Sequence, residues 1–285
     1  MTALTRQSSG TGWGRVVKWL DSDGNIHERA IPAPRFHESG NNIAQELAEE
    51  GLEIAPGQER ALTAYLLKHQ PVTRHRSVSH LGWADTTTGD LAYVLPTKVI
   101  GTSDEQLTYQ AEKNSPSVST MTSSGTLDEW KEKVASPCAM QPYLAFSLCV
   151  GLAGPLLKFA HMDSFGMHYA GRSSHGKTTS LQVAASEWGC GADPGDAPDQ
   201  AYIRKWNSTA NALEALAAAH VDGVLMLDEL QTCTTKDFGN VVYNLLGGQG
   251  KSAMDSNRNL RKARSWRIVL FSTGEISGQQ KIEEQ

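Results

Sequence analysis

Residues 171–178 read Gly-Arg-Ser-Ser-His-Gly-Lys-Thr, a spacing that can cradle a chain of phosphates. A helix start leaves backbone N–H groups unpaired and partly positive, aimed at any anion in front of them. Glycines at 171 and 176 let the loop curl round phosphate oxygens without Cβ clashes. In this reading Gly171, Arg172, Ser173, Ser174, His175, Gly176, Lys177, Thr178 and Thr179 bind a nucleotide. Lys177 reaches the β- and γ-phosphates, and the Thr178 hydroxyl faces Mg2+. The competing reading is an incidental glycine-rich turn.

Downstream, VLMLDE (Val224 to Glu229) is an apolar run ending in two carboxylates. If it is a strand, both acids lie at the carboxyl edge of a sheet, where ligands of open α/β sheets sit. Asp228 then shares Mg2+ with Thr178, and Glu229 orients and deprotonates the attacking water. The alternative is a strand running into an acidic helix cap. No base-reading motif of the N/TKxD type is present, so the nucleotide expected is ATP. FSTGE (Phe271 to Glu275) closes another apolar run, and Ser272 or Thr273 could sense the γ-phosphate there. It could equally be a turn cap, and Glu275 receives no role. Lys251, Arg258, Arg261, Lys262 and Arg264 make a basic stretch just before that run. It reads either as a hairpin touching DNA, as an arginine finger reaching a neighbouring subunit, or as a solvated basic loop.

The elements that position these residues alternate. FGMHYAG, AYIRKW, DGVLMLDE and SWRIVLFST read as strands. KTTSLQVAASEWG, STANALEALAAAH and KDFGNVVYNLLGG read as helices. A β-α-β-α-β-α-β order implies a parallel sheet with crossover helices. The fold class expected is α/β, a P-loop NTPase sheet of the AAA+/ASCE-like kind with flanking helices, behind a small α+β domain. AYIRKW, between the two motif strands in sequence, implies an added central strand as in AAA+ and RecA-like ATPases. The first domain is expected over 1–110, with a hairpin over 13–31 turning at Asp23-Gly24-Asn25. Two short helices and a second group of strands follow. Nothing in it suggests catalysis, and Trp13, Trp19 and Trp83 read as sheet packing. A Ser/Thr/Gly-rich linker covers 111–125, and the ATPase domain covers 126–285, opening on a capping box from Thr126 to Glu129.

The 285 residues are 39% apolar and carry a formal charge of −5, which excludes a chain that coats nucleic acid by overall charge. Cys138, Cys149, Cys190 and Cys233 form no CxxC pair, so neither a zinc ribbon nor a redox motif is expected, and the thiols fit a cytoplasmic protein. The uncharged stretch 134–157 is broken by Gly151, Gly154 and Pro155, and reads as a buried helix rather than a membrane span.

Taken together, GRSSHGKTTSLQVAASEWG, WNSTANALEALAAAHVDGVLMLDEL, YNLLGGQGK and WRIVLFSTGE resemble the bacterial domain-of-unknown-function family 927. WGRVVKWLDSDGNIHERAIP and LGWAD carry the resemblance into the first domain. It implies a protein of phages, plasmids or integrated elements, similar to AAA+ replicative helicases, with ATP and Mg2+ as cofactors and DNA as partner. A homo-oligomeric ring is implied when the protein is full length, with no membrane association. A lid with a second sensor arginine has no room before Gln285, so the ATPase domain is expected to be C-terminally incomplete. No primase signature is seen. A non-motor ATP-dependent regulatory or defence switch, and an inactive remnant, are the other functions these residues allow.

Overall fold

The computed structural model describes residues 1–38, 42–101, 105–111, 120–250, 253–254, 260–261 and 263–284. The chain divides into two compact units, Met1–Ser115 and Pro116–Gln285.

In the first unit, β1 (Ala3–Arg6), β2 (Gly14–Leu20) and β3 (Ile26–Pro32) precede α1 (Asn42–Glu49) and α2 (Glu59–Lys68). β4 (Arg74–Val78), β5 (Gly82–Asp85), β6 (Leu91–Val94), β7 (Val99–Ile100) and β8 (Leu107–Tyr109) follow. A five-stranded sheet has the order β3-β2-β1-β4-β8, and β5-β6-β7 form a separate antiparallel sheet. The hairpin read from the sequence is β2 and β3, paired antiparallel from Gly14–Pro32 to Leu20–Ile26. Its turn is tied by Asp21, whose Oδ1 accepts the N–H groups of Asp23 and Asn25, while Gly24 takes the positive φ of 82°. One face of the sheet buries Val17, Trp19 and Ile31 against Ile43, Leu47 and Leu66 of the two helices. Trp19 is core, with its indole N–H on the Glu50 carbonyl at 3.1 Å, and Trp83 packs edge-on to Tyr93. Trp13 is exposed, under the guanidinium of Arg6.

In the second unit a broken helix, α3 (Leu127–Trp130), a π turn (Lys131–Ala135) and α4 (Ser136–Cys138), leads to α5 (Pro142–Ala153). The start of α3 carries the capping box expected at Thr126 and Glu129. β9 (Phe165–Ala170), α6 (Lys177–Ala185), β10 (Arg204–Lys205), α7 (Ala210–Ala219), β11 (Gly223–Asp228) and α8 (Phe238–Gly247) alternate after it. A short ladder, β12 (Ala253–Met254) with β13 (Leu260–Arg261), then β14 (Ile268–Gly274) and α9 (Gly278–Glu283) complete the unit. The sheet is parallel, in the order β10-β11-β14-β9. Its central strands are buried on both faces. Leu225, Leu227, Ile268 and Leu270 pack with Leu213, Val241 and Leu245 of α7 and α8. Val224, Met226, Val269 and Phe271 pack with Val150 of α5 and Leu181 and Ala184 of α6. That double cover is why both strands lack polar alternation. Of the stretch read as a linker, residues 112–119 lie outside the described residues. Met121 packs against the second core, and a Cβ at Gly189 would run into the Thr120 carbonyl.

Two expectations change. The strand between the loop strand β9 and the acid strand β11 is β14. AYIRKW supplies only the two-residue β10 at the sheet's edge, because Tyr202, Ile203 and Trp206 turn into the cores on either side. The uncharged helix is not buried all round: α5 buries Ser147, Val150 and Gly151 but exposes Tyr143, Phe146 and Leu152. It sits close to the sheet through small residues, and a Cβ at Gly154 would strike the backbone of Gly223. No helix among the described residues is long and apolar enough to cross a membrane.

Just after α6, Glu187 turns its carboxyl towards α5. A Cβ at Gly151 would meet the Glu187 carboxylate, whose two oxygens are buried without hydrogen-bond partners. Burial pushes its carboxyl up to about 8. The folded state therefore holds this proton more tightly than the unfolded chain. That stability is full below the ordinary carboxyl range and is lost as pH rises towards 8. Thermal unfolding of Glu187→Met should exceed the native midpoint by a margin that grows from pH 5 to pH 8 and then levels. A margin independent of pH would show that Glu187 is ionised in the fold.

Candidate functional site

Because the four strands of the second unit's larger sheet, β10, β11, β14 and β9, run parallel, their last residues share one edge. The register sets Lys205 beside Asp228, Leu227 beside Ser272, and Gly274 beside Ala170. The loop 171–176 leaves this edge from β9 and enters α6 at Lys177. Gly176 is the N-cap with φ 78°, a conformation that a side chain makes costly, and Ser174 also has a positive φ, 64°. The loop is fastened to its neighbour by the Gly171 N–H on the Gly274 carbonyl at 3.2 Å. A Cβ at Gly171 or Gly176 would meet no atom closer than the Lys177 side chain, so the glycines leave open space before the loop. Arg172, Ser173, Ser174, His175 and Thr179 are exposed. The Lys177 ammonium is folded over the loop, donating to the Arg172 carbonyl at 2.7 Å.

Asp228 is buried at the centre of the edge. Its Oδ2 accepts the Thr178 hydroxyl at 3.2 Å. Its Oδ1 accepts the Thr273 hydroxyl and, at 2.8 Å, the Glu229 N–H. The loop, the acid strand and β14 thus meet on one carboxylate. Glu229 leaves the strand in the left-handed region, φ 62° and ψ 60°, unusual for a residue with a side chain and frequent at functional sites. Its carboxylate pairs with the Lys205 ammonium at 3.0 Å, and that hydrogen bond raises the pKa of Lys205.

Ser272 and Thr273 point to opposite faces of β14, as strand alternation requires. Ser272 is enclosed in a network away from Asp228. Its Oγ accepts the Trp206 indole N–H at 2.7 Å and lies 2.9 Å from His168 Nδ1. His168 Nε2 lies 2.9 Å from the Ile276 carbonyl, which can only accept, so the bonding pattern assigns the proton to Nε2. Burial lowers the pKa of His168, in keeping with a neutral ring. Glu275 accepts from the Ser173 hydroxyl and donates its N–H to Gln231 Oε1 at 3.1 Å, tying the loop to the segment after β11.

Of the basic residues, Lys251, Arg258 and Lys262 lie outside the described residues. Arg261 is in β13, opposite Ala253, and the Arg264 carbonyl accepts the Gly250 N–H at 2.8 Å. The structure therefore brings Lys177, Thr178, Asp228, Glu229 and Thr273 to one edge, while Ser272 bonds with Trp206 and His168 instead. Sequence reasoning missed Lys205, Trp206, His168 and Gln231. For Lys205 a signal existed: a basic residue at the carboxyl end of a strand in the same sheet.

No curated protein matches the chain. Among solved structures it is similar to one described as SCCmec type IV Cch, an active helicase, at 20% identity and a TM-score of 0.64. The likeness takes in 97% of this chain and 50% of that one, so this chain spans half of that helicase's length. At that identity it is a likeness of fold. The model of the family described as Domain of unknown function (DUF927) matches residues 1–265, and the chain belongs to that family.

Proposed function

We propose that the second unit is a P-loop nucleoside triphosphatase that binds and hydrolyses ATP, and that the chain is the motor portion of a mobile-element DNA helicase. One observation carries the reading: the Thr178 hydroxyl and the Thr273 hydroxyl both converge on Asp228, at the foot of a glycine-bearing loop that opens a helix. The strand order β10-β11-β14-β9, with β14 between the loop strand and the acid strand, supports an AAA+/ASCE-like sheet.

Lys177 and the N–H groups of the loop would hold the phosphates. Thr178 and Asp228 would hold Mg2+, which when bound neutralises phosphate charge. The donors fit that ion, being one hydroxyl and one carboxylate, both hard oxygens. Thr273 rather than Ser272 is the sensor, since of the two it is Thr273 that hydrogen-bonds to Asp228. Glu229 is the base for water, held at its Oε2 by the Lys205 ammonium at 3.0 Å. The ladder β12–β13 and its basic flank would contact DNA through phosphates, without reading sequence. An arginine from a neighbouring copy in a ring would complete the site.

The test is ATP hydrolysis with and without single-stranded DNA, alongside strand displacement. Hydrolysis stimulated severalfold by DNA is expected. Hydrolysis indifferent to DNA would favour a non-motor switch, and failure to bind ATP would overturn the reading altogether.

A further inference from the structure

The proposed site has a direction. Thr178 meets Asp228 of β11, and Glu229 meets Lys205 of β10, so the metal and the reacting phosphate belong over that half of the sheet edge. β9 borders the sheet on the other side. A nucleoside triphosphate with its terminal phosphate towards Asp228 and the others in the loop carries its base away from Asp228, towards β9. There, two residues ahead of Gly171, stands Tyr169, its ring edge-on to Phe271 of the core. Against Tyr169 leans Tyr143, in the first turn of α5, with ring centroids 6.2 Å apart and planes at 90°. The Tyr143 carbonyl accepts the hydroxyl of buried Ser147 at 2.7 Å, which pins its backbone. The residue is nonetheless 75% exposed, so its one ring contact leaves a face of the phenol open to solvent.

Tyr143 is also level with the phosphate loop. α5 starts beside the end of β9 and finishes where Gly154 meets Gly223, the first residue of β11. α6 starts at the loop after β9, and the chain just past it sets Trp188 against the same Gly223. The two helices therefore run in the same direction. They touch where a Cβ at Gly151 would meet Ala184, and where the Trp188 indole donates to the Gly151 carbonyl at 2.8 Å. Eight residues before Gly151 is Tyr143, and eight before Ala184 is Gly176, the cap of α6. Equal rise per residue sets Tyr143 beside the loop, about one helix spacing of 8–10 Å away. Among the described residues of the second unit, the other exposed aromatics stand elsewhere. Phe146 is a turn further from the edge, Phe159 lies beyond the far end of α5, and Tyr243 is on α8, across the sheet. We propose that the open face of Tyr143 is the platform on which the base of the bound nucleotide stacks. The inference rests on the reading of the loop as a phosphate cradle. A ring face accepts any flat base, so Tyr143 adds affinity and does not choose between adenine and guanine.

The test is calorimetric titration of the full chain with ATP, GTP and inorganic tripolyphosphate, each with Mg2+. Tyr143→Ala should weaken ATP and GTP about tenfold, the scale of one lost base stack, and leave tripolyphosphate, which has no base, unchanged. Tyr143→Phe should keep the native affinities within a factor of about two, since stacking uses the ring and not the hydroxyl. The side chain is mostly exposed, so the unfolding midpoint of Tyr143→Ala should match the native protein. ATP affinity untouched by Tyr143→Ala would overturn the base platform and leave the cradle standing. A loss shared equally by tripolyphosphate would overturn it too, since Tyr143 would then be acting on the loop. A native protein that binds neither ATP nor tripolyphosphate would remove the cradle, and the platform with it.

Discussion

Replacing Lys177 with alanine is expected to abolish measurable ATP binding. The side chain stands at the first position of α6 and bends over the loop to the Arg172 carbonyl, so its ammonium already occupies the mouth of the cradle. Among the described residues its one hydrogen bond is to the exposed Arg172 carbonyl, and losing it should not disturb the fold. What it would contribute to bound phosphates is larger. Hydrogen bonds between charged groups contribute about 1.5–3 kcal/mol each, so one ammonium shared by two phosphates corresponds to roughly 10²–10⁴ in affinity. Calorimetric titration of both proteins with ATP and Mg2+ measures this. Circular dichroism and the unfolding midpoint should match the native protein. An affinity unchanged within a factor of about two would remove the phosphate cradle as an explanation of the loop.

What a sequence carries openly is local. The glycine at 176 marks a backbone position that needs positive φ, and the apolar runs of β11 and β14 mark strands covered on both faces. Local signals of this kind also gave the β2–β3 hairpin and the capping box at Thr126. The features that escaped are of two sorts. Some are strands without an apolar pattern: β1 and β4 pair in parallel and bury Thr5 and Ser77, whose polarity hides the burial. Others are contacts between distant positions, which no periodicity encodes. Ser173 with Glu275, Trp206 with Ser272, and Lys205 with Glu229 are brought together only by the order of strands in the sheet. The exposed face of α5 misled for a physical reason as well. Lack of charge signals removal from water, but α5 packs through its small residues and leaves its large ones exposed.

Glu229→Gln is expected to keep ATP and Mg2+ binding and to lower turnover by a factor on the order of 10² or more, the scale of a lost general base. The substitution keeps the size of the side chain and, with it, the left-handed backbone turn after β11. Asp228 keeps the Thr178 and Thr273 hydroxyls, so the oxygens proposed to hold the metal are untouched. What disappears is the carboxylate that can accept a proton from water, together with its ion pair to Lys205. Because only the reaction barrier is raised, kcat should fall while the dissociation constant for ATP stays near the native value. Asp228→Asn should behave differently. It removes the charge that would hold the metal, so affinity should fall in Mg2+ and change little when the metal is chelated by EDTA. Paired measurements of binding and of single-turnover hydrolysis separate the two variants. If Glu229→Gln hydrolyses ATP as fast as the native protein, the base lies elsewhere. Glu275, whose carboxylate already touches the loop at Ser173, would then be the next carboxylate to replace.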